Sequence, residues 1–133
     1  ARNQVLMTTP ITGLQIQGSY HLDQGYYYFR NVGNRILLGG GRHLDMTGET
    51  TFDMNQTPEI QTHLEGLLRN HILPNVSFEI EHRWSGILGI GSQKKPIVKE
   101  LQPNIYCGIR MGGMGVAIGS LVGHQLSKLM SEP

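Results

Sequence analysis

The run Gly108-Ile-Arg-Met-Gly-Gly-Met-Gly-Val-Ala-Ile-Gly-Ser-Leu-Val-Gly123 leaves this chain few choices. It continues a strand-like stretch, 104–109, and merges into an apolar, helix-periodic stretch that ends near Met130. Glycine is 18 of 133 residues, about twice ordinary usage. Helices disfavour that, whereas sharp turns and close backbone approach require it. A strand, a glycine turn and a helix present free N–H groups and the positive end of a helix dipole to whatever lies above the turn. The spacing is Gly113-x-Gly115-x-x-x-Gly119, so the third glycine comes one place late for the dinucleotide fingerprint. A ligand against the turn suits Gly112, Gly113 and Gly115. Gly119 and Gly123 read as sites of close helix packing, with Ile118, Leu121, Val122, Leu126 and Leu129 turned to the core.

Upstream, residues 3–9 read as a strand closed by Pro10, and 13–21 as a second. Runs 25–30 and 35–39 flank Asn31-Val-Gly-Asn34 and form a hairpin. Alternation places Tyr26, Tyr28 and Arg30 on one face of its first arm, where they would line a pocket or cover the core with wet hydroxyls. Thr57-Pro58-Glu59 starts a helix whose apolar positions are Ile60, Leu64, Leu67, Leu68 and Ile72, and Pro74 stops it. The strand 76–84 puts Val76, Phe78, Ile80, His82 and Trp84 on a core face, with Glu79, Glu81 and Arg83 exposed. A Gly/Ser/Lys loop, 86–96, with Lys94-Lys95 at a solvated tip, leads to a short strand 96–98 and the final strand at 104–109. Strands in runs with two helices predict an α+β fold with a largely antiparallel sheet.

A net charge of +1 gives no footprint for nucleic acid. No apolar run reaches membrane length, and the single Cys107, inside a predicted strand, reads as buried and inert, so a cytoplasmic setting is expected. The six histidines show no metal-ligand spacing, and no residue stands out as an obligatory acid, base or nucleophile.

The order of these motifs resembles the flavin-dependent amine and amino-acid oxidases of the D-amino-acid oxidase and glycine oxidase superfamily. The resemblance rests on Asn3–Thr8, on Tyr26–Arg30 followed by Arg35–Gly40, on Trp84-Ser-Gly-Ile87, on Pro96-Ile-Val98, and on the closing strand, turn and helix. It implies a substrate-binding region over 1–103 and, over 104–133, the strand–turn–helix that completes an FAD-binding domain. The family's N-terminal nucleotide-binding βαβ is absent from this sequence. On this resemblance the turn residues Gly112, Gly113, Met114, Gly115 and Val116 lie against the flavin of FAD. The partner is then the missing N-terminal part of the same chain, and the substrate a small amine or amino acid. Leu88 stands where many members carry a carboxylate-binding arginine, and Arg110 where they carry a small residue. The substrate-side candidates are therefore Tyr26, Tyr28, Arg30 and Arg110. Such a fragment is expected to be inert by itself, to expose apolar area and to self-associate. The competing class is a non-catalytic α+β module that binds a small ligand or a protein.

Overall fold

In the computed structural model, which describes residues 1–131, every strand ladder is antiparallel and two α-helices accompany them. The α+β class holds. By contact the chain divides into Arg2–Ile87 and Ala1 with the chain from Leu88 onward.

The first unit carries a five-stranded sheet in the order β2-β3-β4-β1-β5, with β1 Arg2–Thr8, β2 Ser19–Leu22, β3 Tyr27–Val32, β4 Arg35–Gly40 and β5 Ile80–Ile87. The β3–β4 hairpin turns on Gly33-Asn34, with Gly33 at a φ of +59°, where an L side chain is disfavoured. One sheet face carries Leu6, Tyr27, Phe29, Ile36 and Leu38, buried against Ile60, Leu64 and Leu68. Those last three come from helix α1, Pro58–Leu67, and the π-helical turn Leu68–Ile72 that extends it to Pro74. Thr57 takes the N-cap backbone conformation, but its side chain does not cap: its hydroxyl accepts from Gln4 Nε2 at 2.8 Å.

The expected second strand is shorter than 13–21. Gly13 and Gly18 take φ of +72° and +106°, which breaks an extended run. Only Ser19–Leu22 pairs with β3, while Leu14 and Ile16 pack on the core from a loop. β5 likewise starts late, at Ile80, and a bulge changes its phase: Met7 pairs with His82 but Thr8 with Ile80. One extra residue turns every later side chain over. Phe78 and Ile80 therefore stay with the core, while His82 and Trp84 emerge exposed on the opposite face. Arg83 is exposed as expected but lies on the helix side of the sheet, donating to Gln61 Oε1 at 2.6 Å and pairing with Glu65.

A polar layer lies under the same helix. Arg2 and Glu49 are 4% and 1% exposed and joined through Nη2 to Oε1 at 2.6 Å. Gln4 Nε2 adds a bond to Glu49 Oε1 at 2.9 Å, and Arg2 Nη1 donates to the Asn55 carbonyl at 2.8 Å. These bonds fasten the long 41–57 connection to β1. An uncompensated charge at this depth would be expensive, so each partner depends on the other.

The second unit holds a hairpin, β6 Ile97–Gln102 with β7 Ile105–Ile109, and helix α2, Gly115–Ser131. Because β6 pairs along β7, the contact division falls at Leu88, and the strand that begins near Pro96 runs well past Val98. Glu132 and Pro133, the end of the expected 104–133 segment, lie outside the described residues.

Candidate functional site

The glycine turn is built by backbone chemistry. Arg110, Gly112 and Gly113 take φ of +61°, +59° and +84° in near succession, reversing the chain out of β7. The Gly112 N–H donates to the Gly89 carbonyl at 3.1 Å, tying the turn to the loop before β6. The Met114 carbonyl accepts from the Ala117 and Ile118 N–H groups, both at 3.0 Å, and so opens α2. The N–H groups of Gly115 and Val116 precede those bonds and have no acceptor one turn back. A Cβ on Gly112 or Gly113 would meet nothing within 4 Å. Met114 and Val116 expose their side chains, Val116 completely. The turn is thus a bare cradle: N–H donors and a helix dipole beside two apolar side chains.

The glycines of α2 differ from expectation. Nothing lies within 4 Å of a Cβ built on Gly119 or Gly123, so no packing in this unit requires them. Close packing sits at Gly108 of β7, where a Cβ would come 2.7 Å from Val122 Cγ1. Val122 is buried, Ile118, Leu126 and Leu129 are half-buried, and Leu121 is exposed rather than core-facing. Cys107 is half-buried. Leu101, Ile105, Ile109, Met114, Val116, Leu121 and Met130 are each more than half exposed.

Arg110 is held rather than free. Its Nε and Nη2 donate to the Lys95 carbonyl at 3.1 and 3.0 Å, and Gly89 and Gly91 leave room for its backbone and side chain. It pins the 88–96 loop beside the turn.

On the sheet, the face opposite α1 carries Asn3, Val5 and Met7 of β1, His82 and Trp84 of β5, Leu37 and Gly39 of β4, and Tyr28 and Arg30 of β3, as the registers dictate. No helix of this unit covers it. The Tyr28 ring lies over its partner Gly39, where a Cβ would collide with it. Asn3 Nδ2 donates to the Tyr28 oxygen at 2.8 Å, leaving the phenolic hydrogen to donate elsewhere. Burial raises the Tyr28 hydroxyl above its usual pKa, against the smaller effect of Asn3, so it stays a donor. Arg30 is exposed on this face. Tyr26 parts company with both: it precedes β3 with helical φ and ψ, and its ring rests on His43, centroids 4.3 Å apart. Trp84, expected in the core, belongs to this open face. Sequence reading missed Asn3 and Gly39, whose part depends on cross-strand register alone.

A model of the FAD dependent oxidoreductase family, DAO, matches residues 1–129. The chain belongs to this family. FAD is the family's cofactor, and the bare turn suits such a group: N–H donors for an anionic edge, apolar side chains for a flat ring. Iminodiacetate oxidase from Chelativorans sp. BNC1 matches with 23% identity and a TM-score of 0.70, over 99% of this chain and 36% of that one. L-proline dehydrogenase from P. horikoshii matches with 18% identity and a TM-score of 0.73, over 98% and 35%. At these identities the likeness shows the fold. The chain spans about a third of the length of these structures. No curated protein matches it. No described helix is long and apolar enough to cross a membrane, and among the described residues no cluster of three or more His, Cys, Asp or Glu can hold a metal.

Proposed function

We propose that this chain is the substrate-side and flavin-capping part of an FAD-dependent oxidoreductase that oxidises a C–N bond of an amine or amino acid to an imine. The observation that carries the reading is the bare turn at the start of α2, where the Gly115 and Val116 N–H groups find no backbone acceptor and the Met114 and Val116 side chains are exposed. Gly112, Gly113, Met114, Gly115 and Val116 would hold the flavin. Bound FAD supplies the two-electron acceptor for the oxidation. Tyr28 and Arg30 offer a hydroxyl donor and a bidentate cation on the open sheet face, suited to an amine substrate and to its carboxylate where it has one. Tyr26, partly exposed beside His43 and off this face, is retained as a third substrate-side candidate. Arg110 acts by fixing the 88–96 loop, since two of its donors are spent on Lys95. The printed activities of the two structural neighbours, on iminodiacetate and on L-proline, both concern secondary amines that bear carboxylates, and support this substrate class. By itself the chain would be inert, and its exposed apolar side chains would pair with the remainder of the FAD-binding domain or with one another.

The test is a gene product that contains this sequence together with a nucleotide-binding part. It should purify with a flavin spectrum that bleaches anaerobically with an amine or amino acid. Gly113→Val should weaken flavin retention, because its φ of +84° excludes a branched side chain. A colourless product that binds no added FAD would sink the reading and favour a non-catalytic module.

A further inference from the structure

Between β2 and β3 the chain makes a strained turn, with Asp23, Gln24 and Gly25 at φ of +48°, +54° and +88°. Two consecutive non-glycine residues in the left-handed region need outside support. The support is His43, in the 3-10 turn Arg42–Asp45 after β4. Asp23 Oδ2 lies 3.4 Å from His43 Nε2. The same imidazole packs against Tyr26 at 4.3 Å and edge-on to Tyr27 at 5.2 Å. The Tyr27 hydroxyl lies 3.4 Å from His43 Nε2 and 2.9 Å from His63 Nε2 on α1. His43 Nδ1 is buried without a hydrogen-bond partner.

These contacts pull the two charge states of His43 in opposite directions. A neutral ring with its hydrogen on Nε2 serves Asp23 or Tyr27 and leaves Nδ1 a bare acceptor. A protonated ring binds Asp23 more strongly, yet carries an N–H on Nδ1 that finds no acceptor. Relief requires the ring to turn, and the ring is what Tyr26 rests on. We propose that His43 is a proton-sensitive latch that couples the Asp23–Gly25 turn, and with it the ring position of Tyr26, to the protonation of one imidazole.

The neighbours leave this assignment specific. From α1, His63 reaches His43 through the Tyr27 hydroxyl. Burial, then the nearby Asp23 carboxylate, raises the Tyr27 hydroxyl above its usual pKa and keeps it neutral. On the same 3-10 turn, Arg42 is bonded to the Met46 sulfur and Asp45 to the Gly48 N–H. From β2, His21 approaches Gly25. The link from Tyr26 to substrate rests on the function proposed above, but the latch itself does not.

The experiment is a pH titration of the 133-residue chain by NMR, following the His43 ring and the backbone amides of residues 23–26. The amides should shift with the same midpoint as the His43 ring. In Asp23→Asn, which removes the carboxylate facing His43 Nε2, the turn amides should follow the ring with a smaller shift. In His43→Phe the turn amides should lose the transition that they share with the His43 ring in the parent. Turn amides that stay flat through the His43 transition, that follow His21 or His63 instead, or that shift as much in Asp23→Asn as in the parent would each overturn the latch. Asp23 is more than half exposed, so its asparagine variant keeps the test open should His43→Phe fail to fold. In a complete enzyme, a KM indifferent to His43→Phe would speak against Tyr26 as a substrate contact and leave the latch standing.

Discussion

Removing the charge of Glu49 should be the costliest conservative change in the Arg2–Ile87 unit. Its carboxylate accepts from Arg2 Nε at 3.2 and 3.1 Å, from Arg2 Nη2 at 2.6 Å and from Gln4 Nε2 at 2.9 Å. Glu49→Gln keeps the shape but turns an amide N–H₂ toward one of these donors. It also leaves the Arg2 guanidinium, 4% exposed, with only the half-exposed Asp53 carboxylate at 3.9 Å as a counter-charge. Breaking a buried pair from one side costs about 3–5 kcal/mol. A domain of this size has about 5–15 kcal/mol in hand, so the variant should fold but unfold at much lower urea. Arg2→Met with Glu49→Leu removes the stranded charge and should recover part of the loss. Recovery should be incomplete, because Arg2 also serves the Asn55 carbonyl and Gln4 serves Glu49. Urea melts followed by circular dichroism measure all three proteins. A Glu49→Gln variant within about 1 kcal/mol of the parent would refute the argument that this pair fastens the 41–57 connection.

Arg110→Ala should expose the Lys94–Lys95 bond to trypsin, since the guanidinium no longer holds the Lys95 carbonyl. Arg110→Gly should open it equally, yet be more stable than the alanine variant by about 1 kcal/mol, because a φ of +61° suits glycine. Parental cleavage rates in both would sink that reading. Gly108→Ala should loosen α2 by about 1–3 kcal/mol through its clash with Val122, whereas Gly119→Ala should stabilise the isolated chain by about 1 kcal/mol, both read from amide exchange in the helix. The hydrogen bond from Arg35 holds the Glu81 carboxyl below the usual carboxylate range. A lowered folded-state pKa adds stability above the unfolded pKa, and that stability is lost as pH falls through the lowered value. Glu81→Gln should therefore flatten the acid side of a stability profile taken from about pH 6 to about pH 2, by a small amount at so exposed a pair. An unchanged slope would assign the acid sensitivity elsewhere.

The strand, turn and helix of 105–131 were legible because their signals are local: alternation, left-handed glycines, then apolar residues at helical spacing. The β3–β4 hairpin and α1 were legible for the same reason. Trp84 and Arg83 were misplaced because a bulge opposite Met7 and Thr8 reverses the phase of β5, and alternation carries no mark of a skipped residue. The Arg2–Glu49–Gln4 layer joins residues up to 47 positions apart, a distance local patterning does not reach. Arg110 was legible as an anomaly, a large cation beside a glycine turn. Its bond to the Lys95 carbonyl depended on how the 88–96 loop folds back. His43 gave no signal at all, since its neighbours Asp23, Tyr26 and Tyr27 meet it across a strand pair.

The Tyr28 ring over Gly39 makes two positions answer to one space. Any side chain at 39 evicts the ring, and without the ring Asn3 loses the oxygen to which it donates. The two sites therefore cannot drift separately. Among descendants of this sequence, a residue larger than glycine at 39 should appear only after 28 has become small, and the reverse order should be rare. Sequence change on this sheet face would proceed in coupled steps, with Tyr28 yielding first.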